Sequence, residues 1–460
     1  MKVLKFGGTS VGTVESLRNV KQIVENIEEP IVVVVSALGG LTDKLISTAN
    51  SASQGDMNYK KEMQGIIDRH HDVIYGIVAE VNQKECLDKI NDLLDDLGRL
   101  YNGINLLGDL NDRIMDNVVS FGERMSSIIV NCMIESSIHH NSPEIVKTEK
   151  WFGKNIADAR LTTANIKERM KPEAGKPIIV GGFISTDRDT GEITNLGRGG
   201  SDFTAALIAA ALDADVLEIW TDVDGFMTSD PRIIPEARII PKMSFVESME
   251  LCSFGAKVIY PPTIYPVFHK NIPIRILNTF NPSAEGTLIK DYSGKDLHSL
   301  GRVRGLSALK SMAIVTLNGV FTQNLAATSS RAFNALAKQG ISVYLVSPTE
   351  EKDCFSFALK EDDLEKAVEI IRNEFAPEIS NGKISSLDNS KDLSVIAIVG
   401  EDILAGGHIS PRIINTLQRA SIEPLAISEG ASKTTVTIAV EAEATNKTLQ
   451  LIHSLFYNGN

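Results

Sequence analysis

Apolar runs and amphipathic stretches alternate through the first two thirds of the chain. "KVLKF" (2–6), "PIVVVVSA" (30–37), "PIIVGGF" (177–183), "VLEIWTDV" (216–223) and "IPIRILN" (272–278) are rich in β-branched residues, mostly without polar alternation. A strand that is apolar on both sides must be covered on both sides. These runs therefore predict an α/β fold, a mostly parallel sheet with helices on each face. Stretches such as "VESLRNVKQIVENI" (14–27) and "SDFTAALIAAALDA" (201–214) supply the helices, the second with alanines that permit close packing. From about residue 55 to 110 the chain is charged and helical with no strand, a helical excursion from the sheet. His70 and His71 lie there and are expected on a solvated helix face.

The pattern changes after "NTFNPSAEGTLIKDYSGKDLHSLG" (278–301), whose Asn, Pro, Gly and Ser content marks a boundary. "MAIVTLNG", "SSRAFNALAKQG", "ISVYLVSP", "CFSFAL" and "LEKAVEIIRNEF" predict a β-α-β-β unit completed by a helix. The order recurs in "SVIAIVGE", "ISPRIINTLQRAS", "EPLAISEG" and "TTVTIAV". This weak repeat predicts two ferredoxin-like α+β modules, at 302–385 and 386–460, behind a first region of 1–295. Neither module carries a cluster of acids and bases, so both read as ligand-sensing or dimerising.

Composition narrows the picture. With 460 residues, 43% of them hydrophobic, the chain suits two to four globular domains. A net charge of -13 without a basic run argues against nucleic acid. The longest apolar run, "IVVVVSAL", is too short to span a bilayer. No leader is expected before the first strand, which begins almost at Met1. Cys86, Cys132, Cys252 and Cys354 form no CxxC pair, which suggests a reducing cytoplasm and neither a disulfide frame nor a zinc site.

The candidate chemistry starts at "KFGGTSVGT" (5–13). Gly7 and Gly8 lack Cβ atoms, so an anion can approach their N–H groups at a helix N-terminus while Lys5 adds a charge. An ordinary strand-to-helix turn fits the stretch equally well, and it is neither a P-loop nor a Rossmann fingerprint. "SALGGLTD" (36–43) also ends an apolar strand, where open α/β sheets bind ligands, and offers Ser36 and Thr42. "SFGER" (120–124) is expected to open a helix, with Glu123 favoured there by the dipole or simply a charged first-turn residue. In "LGRGGSDFTA" (196–205), a guanidinium in a glycine loop suits a carboxylate or a phosphate. "WTDVDGFMTSDPR" (220–232) has two turn signals, and "SFGAKVIYP" (253–261) adds Lys257.

Together with "IPIRILNTFNPSAEGTLI", these motifs occur in the order seen in aspartate kinases, a family that the chain resembles over its whole length, including two C-terminal ACT-type modules. The resemblance implies transfer of the ATP γ-phosphate to the β-carboxylate of L-aspartate, with Mg²⁺ on the nucleotide, as the first step of lysine, threonine and methionine biosynthesis. It implies catalytic roles for Lys5, Gly7, Gly8 and Asp202, and an aspartate pocket of Ser36, Thr42, Glu123, Arg198, Gly199, Gly200 and Ser201. Thr221, Asp222, Met227, Arg232, Lys257 and Val258 match nucleotide-contacting positions, Met227 standing where relatives carry a tyrosine. Tyr260 replaces a usual histidine, and Tyr344 stands where an aspartate is common. Asn318, Thr349 and Glu350 match an effector pocket, for lysine before threonine, in modules that assemble a homo-oligomer. The alternatives are a kinase of another amino-acid carboxylate and a non-catalytic sensor; retention of Lys5, Glu123, Arg198 and Asp202 argues against the latter. A fused homoserine dehydrogenase is not expected.

Overall fold

The structure is a computed structural model that describes residues 1–151, 154–292, 303–319, 325–349, 354–401, 403, 409–429 and 433–457. The chain forms two compact units. The first comprises Met1–Phe226, Pro241–Phe245 and Val258–Asp291; the second comprises Met227–Ile240, Val246–Lys257 and Tyr292–Asn460.

The strands of the first unit are β1 (Lys2–Phe6), β2 (Ile31–Val35), β3 (Ile138–His140), β4 (Lys147–Trp151), β5 (Lys154–Ala157), β6 (Ile178–Gly181), β7 (Ile184–Asp187), β8 (Ile193–Asn195), β9 (Val216–Thr221), β10 (Lys242–Met243), β11 (Ile274–Asn278) and β12 (Thr287–Ile289). Eight form one sheet in the order β10-β12-β11-β9-β1-β2-β6-β3. It is parallel except where β12 runs antiparallel to β11. The five buried residues of β2, Ile-Val-Val-Val-Val, show why the centre must be sandwiched. The register is what matters for function. Phe6 is opposite Val35 and Trp220, and Val35 is opposite Gly181. The carboxyl ends of β1, β2, β6 and β9 therefore finish level with one another.

A second sheet, β5-β4-β7-β8, was not anticipated from the sequence. Its strands are short and partly polar, as in Lys-Thr-Glu-Lys-Trp of β4, and carry no long apolar run. β12 was likewise hidden inside the Asn/Pro/Gly-rich stretch, since it is only three residues long.

The helical excursion consists of helices Tyr59–Ile77 and Glu80–Leu107. Their apolar stripes (Met63, Ile66, Val73 and Ile74; Ile90, Leu94, Leu97 and Ile104) join the core beneath the sheet. His71 is half-buried and bonds Asn91 Oδ1, on the partly solvated side of its helix. His70 departs from the expectation. It is fully buried, with Nδ1 against Ile66 O, and burial pushes its pKa down to about 4. One residue step on a helix is about 100°, enough to turn from water into the core.

The second unit contains one six-stranded sheet of β13 (Gly305–Gly319), β14 (Leu345–Thr349), β15 (Cys354–Lys360), β16 (Ile384–Val399), β17 (Ala426–Glu429) and β18 (Thr435–Glu441), in the order β14-β15-β13-β16-β18-β17. β13 and β16 are about twice the length of the apolar runs that predicted them: the rest of β16 is mostly polar and exposed, and in the rest of β13 the apolar residues are interrupted by Ser307, Lys310 and Ser311. Each feeds two cores. Leu306 of β13 and Ile396 and Ile398 of β16 pack in one core, whereas Ala313, Val315 and Leu317 of β13 and Ile384 of β16 pack in the other. The register shifts between Leu309 and Met312, where Ser311 takes a φ of 55°.

Beside this sheet, Arg304 and Glu247 form an ion pair at 3.2 Å, at 3% and 0% exposure, and the same carboxylate accepts from the Glu401 N–H at 2.8 Å. Removing one partner of a buried pair leaves the other charge uncompensated. Glu247→Ala is therefore expected to lower the unfolding free energy by about 3–5 kcal/mol, read as a shift of the urea midpoint.

Candidate active site

The level strand ends of the first unit open onto a cleft of about 310 Å³. It is lined by Lys5 near the end of β1 and Gly8 after it; by Ser36 to Gly40 and Thr42 after β2; by Glu123; by Phe183 after β6; and by Gly197 to Asp202. These segments are far apart in sequence and meet because the parallel register aligns their strands.

Lys5 is buried, and its Nζ pairs with Asp202 in the first turn of helix Gly200–Ala211. The Gly-Gly pair divides its work. The Gly7 N–H donates to Trp220 O at 3.0 Å, and Gly7 O accepts from Ser10 and Val11. Its N–H is thus spent on the neighbouring strand, which corrects the expectation that both glycine N–H groups meet an anion. Gly8 is the one on the cleft wall. Thr13 then caps helix Val14–Glu25 in a reciprocal capping box with Ser16.

Glu123 also differs from expectation. It lies in the middle of helix Asp112–Met133, whose start is capped by Asn111, so the dipole has no part in it. Four small polar or glycine residues around it, Ser120, Gly122, Ser126 and Ser127, bury this stretch and disguise a helix interior as a helix start. Burial dominates its electrostatics: the carboxyl is pushed up to about 8, against the opposing pull of the Ala37 N–H and of Lys5. Its Oε2 is buried with no hydrogen-bond partner.

Arg198 is exposed, in a turn flanked by Gly197 and Gly199, each with a φ of 70°. The left-handed backbone at Gly199 excludes most side chains, and a Cβ there would lie 2.3 Å from the Tyr260 Cβ. The turn is tethered through Asn195. Its Oδ1 accepts from the Gly197 N–H, and its Nδ2 donates to Asp116 on the helix that carries Glu123.

The sequence reading missed Phe183. It lines the cleft with a φ of 66°, its N–H held by Thr204 Oγ1 and its O by the Leu196 N–H. A non-glycine residue with positive φ marks a strained site, but nothing in "GGF" announces which residue takes it.

Of the residues assigned to the nucleotide, Thr221, Asp222 and Val258 belong to the first unit without lining this cleft. Thr221 Oγ1 donates to the Asp222 carboxylate at 3.2 Å. Met227, Arg232 and Lys257 fall in the second unit. There, Arg232 is bidentate on Asp230 at 2.9 and 2.8 Å, and Lys257 is exposed. Asn318 lies next to last in β13, with its side chain on Asp388 and Ser386 at 2.6 and 3.0 Å. Thr349 is the last residue of β14, and Glu350 lies outside the described residues. Among the described residues, no three acidic, histidine or cysteine side chains converge as metal ligands, and no helix is long and apolar enough to cross a membrane.

A family model for the amino acid kinase family matches residues 1–278, and an ACT domain model matches 396–456. The chain belongs to the amino acid kinase family. It is 31% identical to the bifunctional aspartokinase/homoserine dehydrogenase of Haemophilus influenzae, over 100% of this chain and 57% of that protein. It is 29% identical to the chloroplastic aspartokinase 2 of Arabidopsis thaliana, over 99% and 84%. The chain thus spans little more than half the length of its bifunctional relatives. Among solved structures, it resembles Escherichia coli aspartokinase III in complex with aspartate and ADP in the R-state, with a TM-score of 0.82, 25% identity and 99% coverage of each chain. The same enzyme in complex with lysine and aspartate in the T-state gives a TM-score of 0.76 at 25% identity, again with 99% coverage of each chain.

The raised pKa of Glu123 fixes a sign for stability. The folded state holds this proton and the unfolded state releases it near 4.5. The associated stability is complete below that value and is lost as pH rises toward 8. Glu123→Gln cannot ionise, so its thermal midpoint should gain on that of the parent chain between about pH 5 and pH 8 and run parallel above it, read by melting across the series.

Proposed function

We propose that the chain is an aspartate kinase that transfers the γ-phosphoryl group of ATP to the β-carboxylate of L-aspartate. One observation carries this reading: a single cleft holds a buried, partnerless carboxylate oxygen (Glu123), a guanidinium in a glycine turn (Arg198) and a lysine at a strand end (Lys5). An α-amino acid brings an ammonium and a carboxylate, and a phosphoryl donor brings the anion that Lys5 meets. The E. coli enzyme's complex with aspartate and ADP supports the same pairing.

In this reading Arg198 binds the α-carboxylate and Glu123 the α-ammonium. Ser36, Thr42, Gly199, Gly200 and Ser201 line the pocket around the side chain. The β-carboxylate is already ionised at neutral pH, so no general base is required. One of its oxygens forms the new bond to phosphorus as the bond from phosphorus to the β,γ-bridging oxygen breaks, releasing ADP. What the protein must supply is alignment and positive charge against two approaching anions. Lys5, oriented by Asp202, provides the charge, with the Gly8 backbone beside it and Gly7 fixing the turn. Thr221, Asp222, Met227, Arg232, Lys257 and Val258 serve the nucleotide. Mg²⁺ bound to the nucleotide would supply further positive charge against its phosphates. No convergent carboxylate set among the described residues suits it as a resident metal, and no step here passes through it.

Residues 1–295 form the catalytic domain in this proposal, and 302–385 and 386–460 form two ACT-type regulatory modules that assemble a cytoplasmic homo-oligomer. Lysine is the first-choice effector, with threonine second, at a pocket involving Asn318, Thr349 and Glu350; the lysine-bound T-state of the E. coli relative favours this order.

Trapping acyl phosphate with hydroxylamine tests the reaction. Arg198→Ala is expected to raise the aspartate KM by an amount equivalent to about 2–5 kcal/mol. Lys5→Ala is expected to cut kcat more than about tenfold in a folded protein. An unchanged KM, or turnover with glutamate or acetylglutamate in place of aspartate, defeats the assignment. For the effector, calorimetry on the full chain should detect lysine more tightly than threonine, with inhibition in the same order; if neither binds at millimolar concentration, the modules serve assembly alone.

A further inference from the structure

We infer that Arg69, on the helical excursion, is a positioning residue for phosphoryl transfer that fixes the spacing between the loop following Lys5 and the loop lining the aspartate pocket. The inference rests on the kinase reading above. The Arg69 Nη2 donates to Gly39 O at 2.7 Å and to Gly12 O at 3.1 Å. One guanidinium nitrogen thus bridges both loops, and bonds from a charged donor are roughly twice as strong as neutral ones.

The two loops meet backbone to backbone. A Cβ on Gly39 would lie 3.0 Å from Gly8 O, and one on Gly12 would lie 3.4 Å from Gly39 N. The loops are joined directly at their bases, where the Ser36 N–H donates to Phe6 O at 3.2 Å, but at Gly39 and Gly12 no side chains interleave to hold the spacing further along. Each loop adjoins part of the proposed machinery: Lys5 precedes the first loop and Gly8 lies in it, Ser36 opens the second and Thr42 follows it in helix Leu41–Ser53, and all four line the cleft. Arg69 supplies the lock from outside.

Its own base is rigid. Helix Tyr59–Ile77 buries Met63, Ile66, Val73 and Ile74. Glu62 pairs with Lys44 of helix Leu41–Ser53 at 3.2 Å. Gly76 meets Val14 so closely that a Cβ would lie 2.5 Å from its methyl carbon. The helix is therefore registered against the helix that follows each loop, and Arg69 joins the loops themselves. The charged, strandless stretch given no task from the sequence is thereby built into the geometry of the site.

If Arg69 sets the distance between acceptor and phosphoryl group, its loss should act on turnover more than on binding. Arg69→Ala is expected to lower kcat about 10–100-fold, the usual cost of misplacing reacting groups by about 1 Å. The aspartate KM should stay within about threefold, since the groups that hold aspartate are retained. Arg69→Lys should fall between, and ethylguanidinium added to the Arg69→Ala enzyme should restore part of kcat with no change in melting temperature. A kcat within about threefold of the parent overturns the inference, as does a raised aspartate KM at constant kcat. A loss of kcat that tracks a fall in melting temperature and resists ethylguanidinium also overturns it, in favour of a purely structural role. If Arg69→Ala does not fold, Arg69→Lys at an unchanged melting temperature carries the test, and unchanged kcat overturns it. A parent chain inactive on aspartate defeats the substrate assignment instead, and the same comparison is then made with whichever carboxylate it phosphorylates.

Discussion

The level ending of four parallel strands is the constraint on which everything else in the first unit depends. A parallel sheet fixes register through evenly spaced hydrogen bonds. Once Phe6 faces Val35 and Trp220, the residues just beyond them have no choice of neighbour. Lys5 thereby meets Asp202 across almost two hundred residues of chain. A slip of one residue in β1 would turn Lys5 to the opposite face of the sheet, and the cleft would lose its cation while keeping its shape.

Burial is used in two opposite ways around the same cleft. Lys5 and Asp202 are buried as a mutually compensating pair. Glu123 is buried with one oxygen lacking any partner, in the interior of a long helix, where an acidic residue is costly. The helix tolerates it because much of its buried face is apolar, with Val118, Met125, Ile129 and Val130 in the core. Burial keeps this carboxyl protonated toward pH 8, and in the proposed reading the arrival of an ammonium group would favour its ionised form.

Most residues of the cleft were legible because they lie near glycine or hydroxyl residues, and such clusters stand out in a linear pattern. Lys5, Ser36 and Thr42 lie at or just past the ends of apolar runs, and Arg198 and Asp202 lie in or beside the glycine turn. Glu123 was picked out by its motif and then assigned the wrong local structure, because "SFGER" reads like a helix start when viewed without the preceding turns. Phe183 and Arg69 were invisible for a different reason. The first acts through an unusual backbone angle, and the second acts at a distance of 30 residues from its partner Gly39. Neither property leaves a trace in residue type or spacing. The sheet of short strands β4, β5, β7 and β8 escaped for want of apolar length. The doubled length of β16 escaped because paired polar residues look like loop, and that of β13 because Ser307, Lys310 and Ser311 break up its apolar residues.

That doubled length has a bearing on how this region is cut. β13 and β16 each pass from one hydrophobic core into the other, side by side over most of their length. The two cores are laced by shared threads, and no cleavage of the chain between them spares both. A fragment ending at residue 385 would keep Leu306 but discard Ile396 and Ile398, the neighbours it packs with, and would leave the inner edge of β13 bare. Shuffling one core for that of a relative would carry half of the other along with it. Inheritance in this part of the molecule is therefore by the pair, and a substitution that tightens one core pulls on strands belonging equally to its twin.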